Sequence, residues 1–372
     1  MNQKNDLRWA PCEDSTEWDT FIRETGGTPY QSWAWRSVLV ELGNIPEYLA
    51  CRGRNGKIVA GCPLFIARAG KYRRKLTGPV HTERLDSDHS VRGVLPIPSI
   101  FGPDADVHLA IRSLQHYLEG LRFPAVTSLD LMTSQAFVIQ SLKERGFRNW
   151  ETHGDLLSDL VSTPTTKIWT GIFGKHDRQS VKYFASQETS FRLSTDQGDF
   201  GEFLKLHEST MARERYRPMS AEYLSFMRRH LGDRLQVALS VGTKGPIAGQ
   251  LLILDDASKT VYIDKIGYTR SRNIHSSVVH IWFEVCAWAE ENGFRYVNFG
   301  GARSAEALKL KQRFGGEFRQ YHMFVVPSGS KLYPVASGFM KGIRKLVRGA
   351  SSVTYQRNSS SSRGMGSTVG VL

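Results

Sequence analysis

The chain has 372 residues, 40% of them hydrophobic, with 49 Lys and Arg against 36 Asp and Glu, giving a net charge of +13 and a pI near 9.6. That length exceeds what one hydrophobic core organises, so two domains and a tail are expected; the charge suits polyanions such as RNA, anionic lipid or phosphorylated small molecules. Cys12, Cys51, Cys62 and Cys286 form no CxxC pair, the 11 histidines include no HExxH, and no run approaches about 18 apolar residues. Disulfide staples, a metal site, an export signal and a membrane span are therefore not expected, and buried thiols in a cytoplasmic protein are.

Trp18 to Glu24 and Trp33 to Leu42 read as helices joined by Gly26, Gly27 and Pro29. Tyr48 to Cys51 and Ile58 to Ile66 read as a hairpin around Gly53 to Gly56, with a second arm apolar enough to be central. Arg68 to Lys75, RAGKYRRK, reads as a solvated basic loop, the alternative being a phosphate-contacting surface. Pro96, Pro98 and Pro103 mark a rigid loop ahead of a helix at His108 to Leu121, a strand at Val126 to Leu131, and a helix at Phe137 to Arg145 stopped by Gly146. STPTT at Ser162 to Thr166 is a hinge that divides 1–165 from 166–327.

The two parts resemble each other. Shifted by 188 residues, Leu49 to Ile66 lies over Val237 to Leu254, matching Ala50 with Ala238 and Ala60-Gly61 with Ala248-Gly249. Shifted by 168, Leu142-Lys143-Glu144-Arg145 lies over Leu310-Lys311-Gln312-Arg313, each in a helix closed by glycine. Two matches in the same order argue for a duplicated α/β unit of about 160 residues.

In the second part, Gly174 to Phe184 is a basic helical segment with Lys175, Arg178 and Lys182 near one face, followed by helices at Phe200 to Arg213 and Ala221 to His230. Val261 to Gly267 reads as a strand, TRSRNIHSS as a polar loop, and Ser277 to Asn292 as a helix carrying Trp282 and Trp288. Unpaired N–H groups of Ser276 to Val278, helped by Arg270 and Arg272, would make an anion site there. Tyr296 to Phe299 is a strand ending at Gly300 and Gly301; a short helix follows, with Ser304 as N-cap, Glu306 in its first turn and Gly315 as its stop. At about 100° per residue, Ala307, Leu308, Leu310 and Phe314 share one arc, Lys309, Gln312 and Arg313 take the other side, and Lys311 falls inside the apolar arc. Either Lys311 snorkels along apolar surface, or it reaches into a cleft at the strand's end.

Tandem units, QSWAW, IVAGCPL, GYTRSRNIHSS, WAEENGF, a strand ending in NFGG and the closing LKQRFGG together resemble the FemAB-like acyltransferases, relatives of the GNAT acetyltransferases. The likeness is clearest from Arg178 to Val326. It implies an α/β (α+β) fold of two tandem GNAT-like domains, each a mixed central sheet flanked by helices. It also implies transfer of an acyl or aminoacyl group from acyl-CoA or aminoacyl-tRNA, used as co-substrate with no permanently bound cofactor, to an amine acceptor. Lys311 matches the family's K-x-x-F-G lysine. Arg178, Lys182, Tyr268, Arg270, Arg272, Asn273, Ser276, Asn298, Gly300, Gly301 and Phe314 are the candidate substrate or carrier contacts. Leu310 stands where the family commonly has an aromatic, and RSRNIH lacks the glycines of the GNAT pyrophosphate loop, so the resemblance alone does not decide between CoA and tRNA.

When an amine attacks an ester or thioester, negative charge gathers on the carbonyl oxygen, and a fixed cation there stabilises the transition state more than the ground state. Lys311 is the candidate for that role, while Tyr268, His275 and Asn298 are candidates for positioning. A non-catalytic binder on the same fold is the other class of reading, supported by Ser337 to Arg348, a basic amphipathic helix suited to anionic membrane or RNA, ahead of a Ser/Gly-rich tail within 328–372. DNA is not among the expected partners, and a peripheral place at the inner membrane face is expected only through 337–348.

Overall fold

The computed structural model describes residues 7–43, 45–69, 73–77, 100–103, 106–120, 128–147, 149–186, 189–214, 216–269, 274–301 and 305–327. The first half runs β1 (Arg8–Pro11), α1 (Ser15–Glu24), α2 (Trp33–Glu41), β2 (Ile45–Arg52), β3 (Ile58–Ala69), β4 (Arg73–Thr77), β5 (Ile100–Phe101), α3 (Val107–Gly120), β6 (Ser128–Thr133), α4 (Ala136–Glu144) and β7 (Asn149–Asp159). A connection made of α5 (Thr165–Lys167), a π-helical turn (Ile168–Ile172) and α6 (Lys175–Ser186) leads to the second half. That half runs β8 (Ser190–Ser194), α7 (Gln197–Glu214), α8 (Ala221–Leu231), β9 (Leu235–Gly242), β10 (Gly245–Asp255), β11 (Thr260–Tyr268), α9 (Ile274–Glu291), β12 (Tyr296–Asn298), α10 (Ala305–Gln312) and β13 (Glu317–Pro327). Leaving β5 aside, the order strand, two helices, three strands, helix, strand, helix, strand occurs twice, as the internal repeats lead one to expect.

Local chemistry sets these elements. The Asp14 carboxylate accepts from Thr16 N and Glu17 N at 2.8 and 3.1 Å to start α1, and Ser32 Oγ accepts from Trp35 N at 3.2 Å to start α2. The matched glycines lie under equivalent helices. A Cβ on Gly61 would come within 2.9 and 3.0 Å of Phe21 and Trp18 of α1, and one on Gly249 within 3.1 Å of Phe203 of α7.

The sheets cross the sequence boundary. One is ordered β1-β2-β3-β4 with β5 against β3, and the other is β6-β13-β7-β12-β11-β10-β9-β8. β7, from before the hinge, pairs antiparallel with β12 (Leu157 opposite Asn298), while β13, from the end of the second half, pairs antiparallel with β6 (Phe324 opposite Leu131). β7 and β13 also pair with each other. Each half thus lends its last strand to the other, and the segments 1–165 and 166–327 are stretches of chain that share one large mixed sheet flanked by helices.

Two apolar layers cover that sheet. On one face α2 packs on α8, and Trp18, Tyr30, Trp35 and Tyr48 of the first half join Phe203, Tyr223, Met227 and Tyr262 of the second. On the other, Val279, Ile281, Trp282, Val285 and Ala289 of α9 meet Ala248, Leu252, Val261, Phe299 and Phe314. Cys12, Cys51, Cys62 and Cys286 are all buried thiols, as expected. The basic stretch Arg68 to Lys75 is not simply a loop: it closes a hairpin, with Arg68 opposite Arg74 and Ala67 opposite Lys75, because strand pairing of β3 carries on past its apolar run. The expected strand at Val126 to Leu131 is β6, displaced by two residues at each end. Pro96, Pro98, Ser304, 337–348 and the rest of the tail lie outside the described residues.

Candidate active site

Among the described residues β11 and β12 are the parallel pair, but they run side by side only from Thr260 to Tyr262 and from Tyr296 to Asn298. Beyond that, β11 continues to Tyr268 on β10 while β12 stops, so the sheet parts at the carboxyl end of the two strands. In open α/β sheets this is where ligands bind. β11 there leads to the start of α9, and β12 leads through Phe299-Gly300-Gly301 to α10. A Cβ on Gly267 would come within 2.5 Å of His207 N, so glycine lets the α7 backbone press directly on β11 beside the opening.

The turn after β12 is fixed from β7. Phe299 N donates to Leu156 O at 2.8 Å, and Leu156 N donates to Gly300 O at 3.2 Å. Asn298 is buried; its Nδ2 donates to Asp155 Oδ2, and its Oδ1 accepts from Gly300 N at 2.8 Å. Gly300 has φ +65°, a left-handed conformation that glycine adopts without strain. Gly301 leaves room for Gly154 O, which would lie 3.0 Å from a Cβ there.

Lys311 meets this turn. Its Nζ donates to Phe299 O, to Gly300 O at 3.3 Å and to Gly301 O at 2.7 Å. Lys311 is half-buried while Lys309 is exposed, in agreement with the helical phase. The ammonium does not snorkel outward: it is turned in, onto the carbonyls at the strand's end. Phe314 anchors α10, fully buried with ring centroids 5.2, 5.5 and 5.3 Å from Phe173, Trp282 and Phe299, and its carbonyl accepts from Ser158 Oγ at 2.6 Å. Arg313, on the outer face, pairs with buried Asp177 at 2.7 Å and so ties α10 to α6.

The structure therefore brings Asn298, Gly300, Gly301, Lys311 and Phe314 together and places other sequence candidates elsewhere. Arg178 is turned back on the connection, donating to Phe173 O and to Trp169 O at 3.2 Å, where it caps the π-helical turn. Lys182 is exposed on α6. Tyr268, at the end of β11, is held by α7: its OH donates to Glu214 Oε1 at 3.2 Å, its N–H donates to Thr210 Oγ1 at 2.8 Å, and the Arg213 guanidinium sits 5.1 Å from its ring. α9 starts at Ile274, earlier than expected, so its first turn is formed by Ile274 and the next residues, and the TRSRNIHSS loop is shorter. Arg270, Arg272 and Asn273 lie outside the described residues, as do the side chains of His275 and Ser276.

Sequence reasoning missed Asp155 and Tyr321. Asp155 Oδ2 also accepts from Tyr321 OH at 3.1 Å, its Oδ1 has no partner among the described residues, and burial raises its pKa against the lowering effect of the Asn298 bond. No local signal marks either residue: GDLLSDL carries two acids, Asp155 and Asp159, without a regular alternation that would set one apart.

No known family's sequence profile matches the chain, and no curated protein matches it by sequence. Among solved structures the chain is similar to FemX at 12% identity and a TM-score of 0.66, covering 88% of this chain and 99% of that one. It is similar to L-PGS from Bacillus licheniformis at 14% identity and 0.53, covering 87% and 94%. It is also similar to a tandem GNAT protein from the clavulanic acid biosynthesis pathway at 12% and 0.51, covering 88% and 100%. At such identities the likeness is one of fold, and it spans both halves: the chain has the FemAB-like fold of two GNAT-type units in tandem.

Proposed function

We propose that the protein is an N-acyltransferase that moves an acyl or aminoacyl group from a carrier, acyl-CoA or aminoacyl-tRNA, to an amine. The observation that carries this reading is the Lys311 ammonium, held at the parted end of β11 and β12 on three backbone carbonyls. Of these three carbonyl contacts, the one to Gly301 O is exposed and the other two are partly buried. The exposed contact is the one a substrate oxygen replaces. The acceptor nitrogen attacks the carbonyl carbon, the C=O electron pair moves to oxygen beside Lys311, and collapse expels the carrier's thiol or ribose hydroxyl. The proton lost by the amine goes to that leaving group.

Direct attack suits the cysteines. Burial pushes the Cys51 thiol up to about 12 and raises those of Cys12 and Cys286, so these sulfurs stay protonated and are not poised as nucleophiles. The choice of carrier is testable at the bench. Protein purified at low salt and carrying tRNA that moderate salt removes supports the charged-tRNA donor, since phosphate contacts weaken steeply with salt. Thiol release from acetyl-CoA in the presence of an amine supports the CoA donor. Failure to transfer from either class of carrier to any amine overturns the proposal. In either case, replacing Arg270 and Arg272 with Gln raises the donor's KM more than it lowers kcat, because contacts remote from the carbonyl contribute uniform binding.

A further inference from the structure

We infer that Asp155 is a positioning residue for Lys311, so that the first half of the chain, through its exchanged strand, completes the site of the second. The inference rests on the reading of Lys311 given above for its functional meaning, but its geometry stands apart from it. β7 runs alongside the turn that follows β12. Leu156 holds the turn through both backbone groups, and its neighbour Asp155 holds it through a side chain that is only 3% exposed.

The chain of contacts has a fixed direction. A carboxylate can only accept, so Asp155 Oδ2 takes the amide N–H of Asn298 and thereby decides which way that amide faces. The Asn298 carbonyl oxygen is left toward Gly300 N–H, at 2.8 Å. That bond fixes Gly300 at φ +65°, which aims the carbonyls of Phe299, Gly300 and Gly301 at the Lys311 ammonium. Tyr321 OH, from the other exchanged strand β13, donates to the same Oδ2 at 3.1 Å and so holds the carboxylate oxygen that orients Asn298. Hydrogen bonds to a charged group are among the stronger ones, and a buried group left without its partner is destabilising, so the arrangement is strongly specified.

An uncharged acceptor of the same shape should preserve this geometry. With asparagine at 155, Oδ1 accepts from Asn298 Nδ2 and the new amide nitrogen takes the place of the carboxylate oxygen that has no partner among the described residues. Alanine removes the acceptor and frees the Asn298 amide to rotate.

Amine labelling tests this without knowledge of the substrate. The full chain is treated briefly with acetic anhydride, and acetylation of Lys311 is measured by mass spectrometry relative to exposed Lys309 on the same helix. An ammonium locked on carbonyls reacts slowly, so the ratio is low in the parent, stays within about twofold in Asp155→Asn, and rises roughly tenfold in Asp155→Ala and in Asn298→Ala. Each variant is compared at matched cooperative melting, and Asn298→Ala carries the test should Asp155→Ala fail to fold. Rescue by asparagine separates positioning from a general loss of packing, which would raise labelling at both lysines. An unchanged ratio in the folded alanine variants overturns the inference and leaves the catalytic role of Lys311 untouched. Normal turnover in Lys311→Met overturns that role and leaves the coupling of Asp155 to Lys311 standing.

Discussion

The corner where β12 passes into α10 has a counterpart in the first half, where β6 passes into α4, and the two differ in what closes the strand's end. In the first half, Gln135 clamps the backbone of β5, accepting from Phe101 N at 2.8 Å and donating to Phe101 O at 2.7 Å, and Lys143 points to solvent. In the second half no such strand fills the end among the described residues. A double-glycine turn is there instead, and Lys311, which the sequence repeat aligns with Lys143, folds inward onto it. The duplicated scaffold thus holds two lysines in matching LKxR segments, of which only one faces carbonyls. Lysine in the motif is not the signal; the double-glycine turn beneath it is.

The largest expected contrast between the two corners is in packing. Phe314 is fully buried among three aromatic rings, so Phe314→Ala should cost about 3–5 kcal/mol in chemical denaturation. Phe147, which follows α4 and packs only partly against its core, should cost about 1–2 kcal/mol as Phe147→Ala. Equal losses would mean that the two corners are built alike.

Acid should separate the halves next. His280 on α9 is buried, stacked on Phe184 at 5.5 Å, and its pKa is lowered to about 4 by desolvation. The corresponding helix α3 carries His108 and His116 exposed. A histidine whose folded pKa lies below its unfolded value of about 6.5 supports the fold when neutral, so stability is full above about 6.5 and falls as the pH drops toward 4. The loss is on the order of 3 kcal/mol, since each tenfold change in proton affinity is worth about 1.4 kcal/mol. His280→Phe should flatten that slope.

A smaller contrast concerns glycine. A Cβ at Gly267 meets the α7 backbone at 2.5 to 2.9 Å, whereas at Gly61 it meets only side-chain rings at 2.9 to 3.3 Å. Gly267→Ala should therefore cost about 1–3 kcal/mol, and Gly61→Ala less, measured as shifts in denaturation midpoint.

Much of this comparison is legible in the sequence. The phase of Lys311 against Lys309, the glycines after β12, the paired hairpins and the LKER and LKQR repeats all have local periods that read directly. The strand exchange does not. β7 and β13, NWETHGDLLSD and EFRQYHMFVVP, are half polar, and nothing local says that each pairs across the hinge, because strand partners distant in sequence leave no periodic mark. Asp155 was invisible for the same reason: its meaning comes from Asn298, 143 residues away. Arg178 shows the opposite failure, a basic face at helical spacing whose guanidinium serves the backbone of the preceding turn.

On the proposed mechanism Lys311 stabilises the oxyanion while its twin in the first half does not. Single-turnover rates with a saturating donor, whether acetyl-CoA or charged tRNA, test it in Lys311→Met, Lys143→Met and Lys309→Met. Methionine keeps the length of the side chain and removes the charge. A fall of about 10²- to 10³-fold is expected for Lys311→Met, the usual scale for losing one oxyanion donor, with the other two within twofold of the parent. Parental rates in all three, with the folds intact, would contradict it.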